Sequence, residues 1–166
     1  MSELGNPVDG LTEILEGIEA YHATDAHVST PWYLGMAASA QYRLGNIKMG
    51  LEYTAEALRL AEDTKDKNFE VELWRLQGEL LRCCDNSERE AEDSFHQAID
   101  VAQRQHAKLW ELRATVSLCR LWQNQGKCAE AHQMLSEIYG WFTEGFDTVD
   151  LVEAKALLAE LAKRVE

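Results

Sequence analysis

The sequence predicts an all-α fold, an α-solenoid of stacked antiparallel helix hairpins with about eight helices. Three observations carry this expectation. Apolar residues recur at helical spacing along most of the chain. No segment sustains a period of two with β-branched residues, the pattern a half-buried strand needs. Similar segments return about every 40 residues. Only two prolines are present, Pro7 and Pro31, so long stretches are free to be helical.

Each helix has its own signals. The first spans 8–22, with Leu11, Ile14, Leu15, Ile18 and Tyr21 on one stripe. Thr30 is expected to cap a second helix whose first position is Pro31, where a missing N–H costs nothing. That helix runs to 44 and stops at Gly45 and Asn46. A third runs over 47–63, with Leu51, Thr54, Ala55 and Leu58 inward, and ends in a polar turn at 65–68. The fourth covers 69–84 around Leu73, Leu76, Leu80 and Leu81. Ser87 and Glu90 have capping-box spacing and open a fifth helix that reaches 105. The sixth covers 107–125 and stops at Gly126. The seventh spans 129–142. Thr148 then caps an eighth over 149–164, with Leu151, Ala154, Leu157, Leu158 and Leu161 on one stripe.

The repeat aligns small residues in the second helix of each hairpin. Gly50, Ala91 and Ala131 correspond at separations of 41 and 40, as do Ala57, Ala98 and Ile138. Gly10 and Gly17 stand 40 residues before Gly50 and Ala57, which marks half of an earlier unit. The chain therefore divides into a half repeat over 8–29, repeats over 30–68, 69–106 and 107–145, and a capping helix over 148–164, all in one domain. The small positions are expected to let a helix approach its hairpin partner. Trp74, Phe95, Trp110, Leu118 and Leu135 are expected to fill space between layers.

Composition narrows function by exclusion. Lys and Arg total 16 against 29 Asp and Glu, a formal charge of −13 over 166 residues. Phosphate recognition needs a basic footprint, so a nucleic-acid partner is not expected. Docking on an anionic membrane is disfavoured for the same reason. The acidity is uneven. Residues 1–66 carry 4 basic and 11 acidic groups, whereas 67–130 carry 9 and 11. Cys83, Cys84, Cys119 and Cys128 show no common zinc spacing. Residues 1–10 lack a basic start and an apolar stretch, so no secretory leader is expected. A cytoplasmic protein with reduced thiols is the economical expectation.

Chemistry finds little support. No glycine-rich phosphate loop is present. A di-iron bundle needs two Glu-x-x-His motifs, and the chain has one, at Glu19 and His22. Cys128 and His132 are two metal ligands at most. No nucleophile is expected at a helix start beside a basic group. The expectation is no enzyme, no cofactor and no metal.

The residues Trp74, Gly78, Ala91, Phe95 and Ala98 resemble the tetratricopeptide repeat (TPR) motif. Leu34 and Thr115 stand where Trp74 stands. The period exceeds the usual 34 by about six residues, which longer turns at 62–68 and 103–108 would absorb. Segments 50–81, 108–131 and 139–161 resemble the C-terminal TPR-like region of large bacterial signalling proteins. Those proteins join a P-loop regulatory ATPase to a class III adenylate/guanylate cyclase domain or a DNA-binding domain. The resemblance implies a helical scaffold for regulation or protein contacts. Neither enzymatic signature is present here.

The resemblance also implies a concave face lined by the first helix of each repeat. Its positions are Trp32, Gly35, Ser39 and Tyr42, then Glu72, Arg75, Glu79 and Arg82, then Arg113, Val116, Arg120 and Gln123. The four arginines suit bidentate carboxylate recognition, hence an acidic peptide. Alternatively Glu72, Glu79 and Glu111 pair with them and leave a solvated face. Trp141, Phe142 and Phe146 are expected to plug the last hairpin. The N-terminal end of the array lacks a polar cap, so residues 1–8, another chain (as in a homodimer through that end) or the rest of a longer protein is expected to cover it. The functional expectation is a non-catalytic protein-interaction scaffold in bacterial signal transduction or transcription control. The alternative is a domain that senses a small anion or peptide, with an enzyme as a distant third.

Overall fold

In a computed structural model the described residues are 7–22, 29–65 and 67–165. They form eight α-helices and no strand: α1 (Pro7–His22), α2 (Thr30–Arg43), α3 (Ile47–Thr64), α4 (Glu70–Leu81), α5 (Glu88–Arg104), α6 (Lys108–Asn124), α7 (Cys128–Tyr139) and α8 (Val149–Val165). The protein is all-α. The largest departures from the expected bounds are at the ends of α4 and α7. There the chain tightens into i→i−3 hydrogen bonds, from Cys83 N–H to the Leu80 carbonyl and from Phe142 N–H to the Tyr139 carbonyl.

Three turns share one closing geometry. After α2, Gly45 takes φ 77°, and the N–H groups of Gly45 and Asn46 reach the carbonyls of Tyr42 and Gln41. After α6, Gly126 takes φ 78°, with Lys127 N–H bonded to the Trp122 carbonyl at 2.9 Å. After α5 the same pattern recurs without glycine, since His106 holds φ 55°. These are Schellman closures, which satisfy carbonyls left open by the last helical turn.

The expected caps are corrected. Ser29, not Thr30, occupies the N-cap of α2, and its side chain makes no capping bond. Ser87 is the N-cap of α5, but its hydroxyl does not cap and the capping box with Glu90 is not formed. The Thr148 hydroxyl turns back and donates to the Gly145 carbonyl at 2.7 Å. Of the two turns expected to be long, the one between α3 and α4 spans five residues, 65–69, whereas the α5–α6 turn is only Gln105, His106 and Ala107.

Every helix packs on its neighbours in sequence. In addition the backbones of α2 and α4, α4 and α6, and α6 and α8 come close, whereas no two odd-numbered helices do so among the described residues. The core is thickest toward the C-terminal half. Leu112, Leu135, Leu151, Leu157 and Leu161 join α6, α7 and α8. Val71, Phe95, Ala98 and Leu118 join α4, α5 and α6. Two smaller clusters centre on Leu34, Ala57 and Leu73, and on Ala38, Leu76 and Leu80.

The small residues mark close approach, with a change of partner. Ala91 and Ala131 are fully buried. A Cβ added at Gly50 would meet Leu80 Cδ2 of α4 at 2.6 Å, while the hairpin partner offers only the Ala38 carbonyl at 3.5 Å. Gly50 therefore admits the next hairpin rather than its own. Gly78 likewise leaves room for Phe95, whose ring would stand 2.5 Å from an added Cβ. Phe95, Leu118 and Leu135 fill the interior as expected. Trp74 and Trp110 are only half-buried at its edge.

The expected homodimer surface falls largely outside the described residues. The side chains of Leu15, Ile18 and Tyr21 belong to that set, as do those of Glu19 and His22. Ile14 packs against the cluster around Leu34.

Candidate functional site

Even-numbered helices line the candidate site. On α4 the residues Glu72, Arg75, Glu79 and Arg82 recur at spacings of three and four, which puts them on one stripe. Arg75 Nε and Nη2 donate to the two carboxylate oxygens of Glu72 at 2.8 and 2.6 Å. Its Nη1 lies 3.6 Å from Glu79 and 3.4 Å from the Ser117 hydroxyl of α6. Arg82 Nη1 donates to the other Glu79 oxygen at 2.9 Å. Acid and base thus alternate along α4.

Helix α8 supplies a second set of carboxylates. Arg113 Nε and Nη2 donate to both oxygens of Asp150 at 2.7 and 2.9 Å, a bidentate pair. Arg120 Nη2 donates to Glu153 at 2.7 Å. Hydrogen bonding to Asp150 holds the Arg113 guanidinium above its ordinary pKa, against the opposing effect of burial. For Arg75 burial is the largest influence and acts downward. The Glu72 hydrogen bonds and the charges of Glu72, Glu79 and Glu153 outweigh it.

These side chains surround a cavity of about 260 Å³ bordered by Arg75, Arg113, Arg120, Glu72, Asp150 and Glu153. An apolar pocket of about 220 Å³ adjoins it, walled by Trp32, Met36, Phe69, Leu73, Leu76 and Trp110. Glu72 borders both. Trp32 stacks on Phe69 with ring centroids 5.5 Å apart. The Arg113 guanidinium lies 5.0 Å from the Trp110 ring centroid and joins the two halves. Trp32 and Met36 are 39% and 37% exposed, so the apolar half is open to a ligand.

The expected residues separate into two groups. Arg75, Arg113 and Arg120 meet in the polar cavity, and Trp32 lies in the apolar pocket. Tyr42 and Arg82 border neither. They sit beside Glu79 at the end of the stripe, where burial, then the charges of Glu79 and Cys83, raise the Tyr42 phenol pKa. The expected pairing is correct for Glu72 and Glu79 and wrong for Glu111. Glu111 is buried and bonded instead to Lys108 at 2.7 Å and Gln103 at 3.0 Å. Each of the four arginines already holds a carboxylate, so an acidic ligand must compete with Asp150 and Glu153. Those two acids, with Met36, Phe69 and Trp110, are the site residues that sequence reasoning missed.

Trp141 does not plug the last hairpin. It is 58% exposed and Phe146 is 47% exposed, while Phe142 packs on the α6–α7–α8 core. The free thiols of Cys119 and Cys128 are buried and that of Cys83 is exposed. Among the described residues no group of three or more His, Cys, Asp or Glu is placed to hold a metal ion. No described helix is long and apolar enough to cross a membrane. Compared with protein-family models and with curated proteins, the chain finds no match in either.

Proposed function

We propose that the protein is a cytoplasmic, non-catalytic interaction module whose helix hairpins stack as a TPR-like α-solenoid, serving bacterial signal transduction or transcription control. Close backbone approach between even-numbered helices, with none between odd-numbered ones among the described residues, supports a stack curved toward the even row. The observation that carries the functional reading is the two-part groove on that row. An open apolar pocket beside a lattice of charged hydrogen-bonding groups is the arrangement that anchors a side chain and orients the peptide carrying it. The ion pairs hold that groove in shape. Their guanidiniums keep N–H groups without a partner among the described residues, such as Arg113 Nη1 and the Nε of Arg120, for a segment of a partner protein.

Affinity purification of the tagged chain from its native cell tests this reading. A partner is expected with the parent and with an exposed α5 control, Gln97→Ala. It should be lost with Trp32→Ala combined with Met36→Asp, and weakened with alanine at Arg75, Arg113 and Arg120. Equal recovery by all four proteins, each with unchanged circular dichroism, rejects the groove.

A further inference from the structure

Residues the groove does not use form a third cavity, of about 230 Å³, between α5, α6 and α7. Ile99, Met134 and Ile138 make its apolar wall, and Trp141 and Glu137 stand on its border. We propose that this cavity receives an arginine side chain from a basic segment of a protein partner.

The molecule supplies the precedent twice. Arg113 lies over the Trp110 ring at 5.0 Å and is held by Asp150 at 2.7 Å. Lys127 lies 5.7 Å from the Trp122 ring centroid and 3.4 Å from Glu92, which also accepts the Trp122 indole N–H at 2.7 Å. In both, an indole face and a carboxylate enclose a cation. Trp141 and Glu137 repeat this pair of groups one helical turn apart, without the cation. The indole is 58% exposed, and Phe142 meets it edge-on at 84°. Glu137 accepts a single hydrogen bond, from Gln133 at 3.2 Å, and has no ion pair among the described residues.

Charge agrees with a cationic guest. Glu111 in the same cavity is matched by Lys108, so Glu137 leaves the lining one negative charge in excess. Glu144 and Asp147, exposed on the following loop, add two more near Trp141 in the chain. The whole protein at −13 attracts basic segments over a longer range. Arginine fits better than lysine, because its weakly hydrated plane stacks on indole while its fork meets one carboxylate.

The test is a titration of the nitrogen-15-labelled 166-residue chain with Ac-Ala-Ala-Arg-Ala-Ala-NH2 into the millimolar range. The control peptide carries citrulline, which keeps the shape and loses the charge. The arginine peptide is expected to shift the Trp141 indole signal and the Glu137 amide, and the citrulline peptide to shift them far less. Trp141→Ala should weaken the arginine peptide about two- to fivefold by loss of an exposed cation–π contact, and Glu137→Gln by a similar factor of about two to five through the lost ion pair. Trp141→Phe should keep part of the affinity if the alanine variant loses its fold. Equal shifts by the two peptides, no shift at all, shifts confined to the Arg75–Arg113 groove, or unchanged affinity in Glu137→Gln each overturn the proposal.

Discussion

His106 occupies a left-handed position that Gly45 and Gly126 occupy in the other two turns of the same form. A side chain at positive φ costs about 1–2 kcal/mol in backbone strain, partly offset because glycine loses more freedom on folding. His106→Gly is therefore expected to stabilise the protein by about 0.5–1 kcal/mol, seen as a higher midpoint in a urea titration. Ala91 is fully buried among Phe95, Ala98 and Leu118. Ala91→Leu should cost about 1–3 kcal/mol by overpacking, and a melting curve equal to the parent's would show that the position is not a close contact. Cys119 is buried, donates to the Ala131 carbonyl, and has its pKa pushed from 9.0 up to about 12, chiefly by burial. The thiol is a neutral acid whose folded pKa is raised, so the unfolded chain loses its proton first as pH rises. Stability should fall from pH 9.0 toward about 12, by at most about 1.4 kcal/mol per pH unit for this group. Urea titrations of parent and Cys119→Ala on either side of pH 9.0 isolate that slope, which the variant should lack.

Helix positions were legible at the scale of the element because each helix carries its own apolar stripe, and Gly45 and Gly126 mark their turns. The closures at His106, Asn86 and Lys65, all with positive φ, carry no glycine and gave no such mark. Caps were legible as residue types but not as bonds. Ser87 stands at the start of α5, yet at φ −103°, ψ 16° its hydroxyl does not bond the helix. The α6–α8 contact is the clearest case of a feature local patterns omit. Arg113 and Asp150 are 37 residues apart, and only packing of α8 on α6 brings them to 2.7 Å. A double-mutant cycle with Arg113→Met and Asp150→Leu should give a coupling of about 1 kcal/mol, since the pair is bidentate but part-exposed. It should shrink in molar salt. A coupling near zero would mean that burial of Leu151, Leu157 and Leu161 alone docks α8.

Across the whole molecule, buried apolar residues are concentrated in α4 to α8, and the clusters around α2 and α3 are smaller. Native-state hydrogen exchange should accordingly be slowest in α5, α6 and α8 and faster in α3, with α1 fastest among the helices. Uniform protection would show that the chain opens only as one unit. The charge of −13 takes on a finer meaning, because the central arginines are neutralised internally by Glu72, Glu79, Asp150 and Glu153. By itself the sequence determined the all-α class, the number and order of the helices and most of their bounds. Those follow from short-range periodicity, which each segment carries within itself. The resemblance to the repeat motif, rather than periodicity, placed Arg75, Arg82, Arg113 and Arg120 on one face, and three of the four meet in the polar cavity. Tertiary structure decided which carboxylate each arginine holds, that Gly50 admits Leu80 of the next hairpin, that Phe69 and Trp110 complete the apolar pocket, and that Trp141 stays exposed. These depend on contacts between helices whose relative rotation and distance are set by side-chain packing, and no local spacing encodes them.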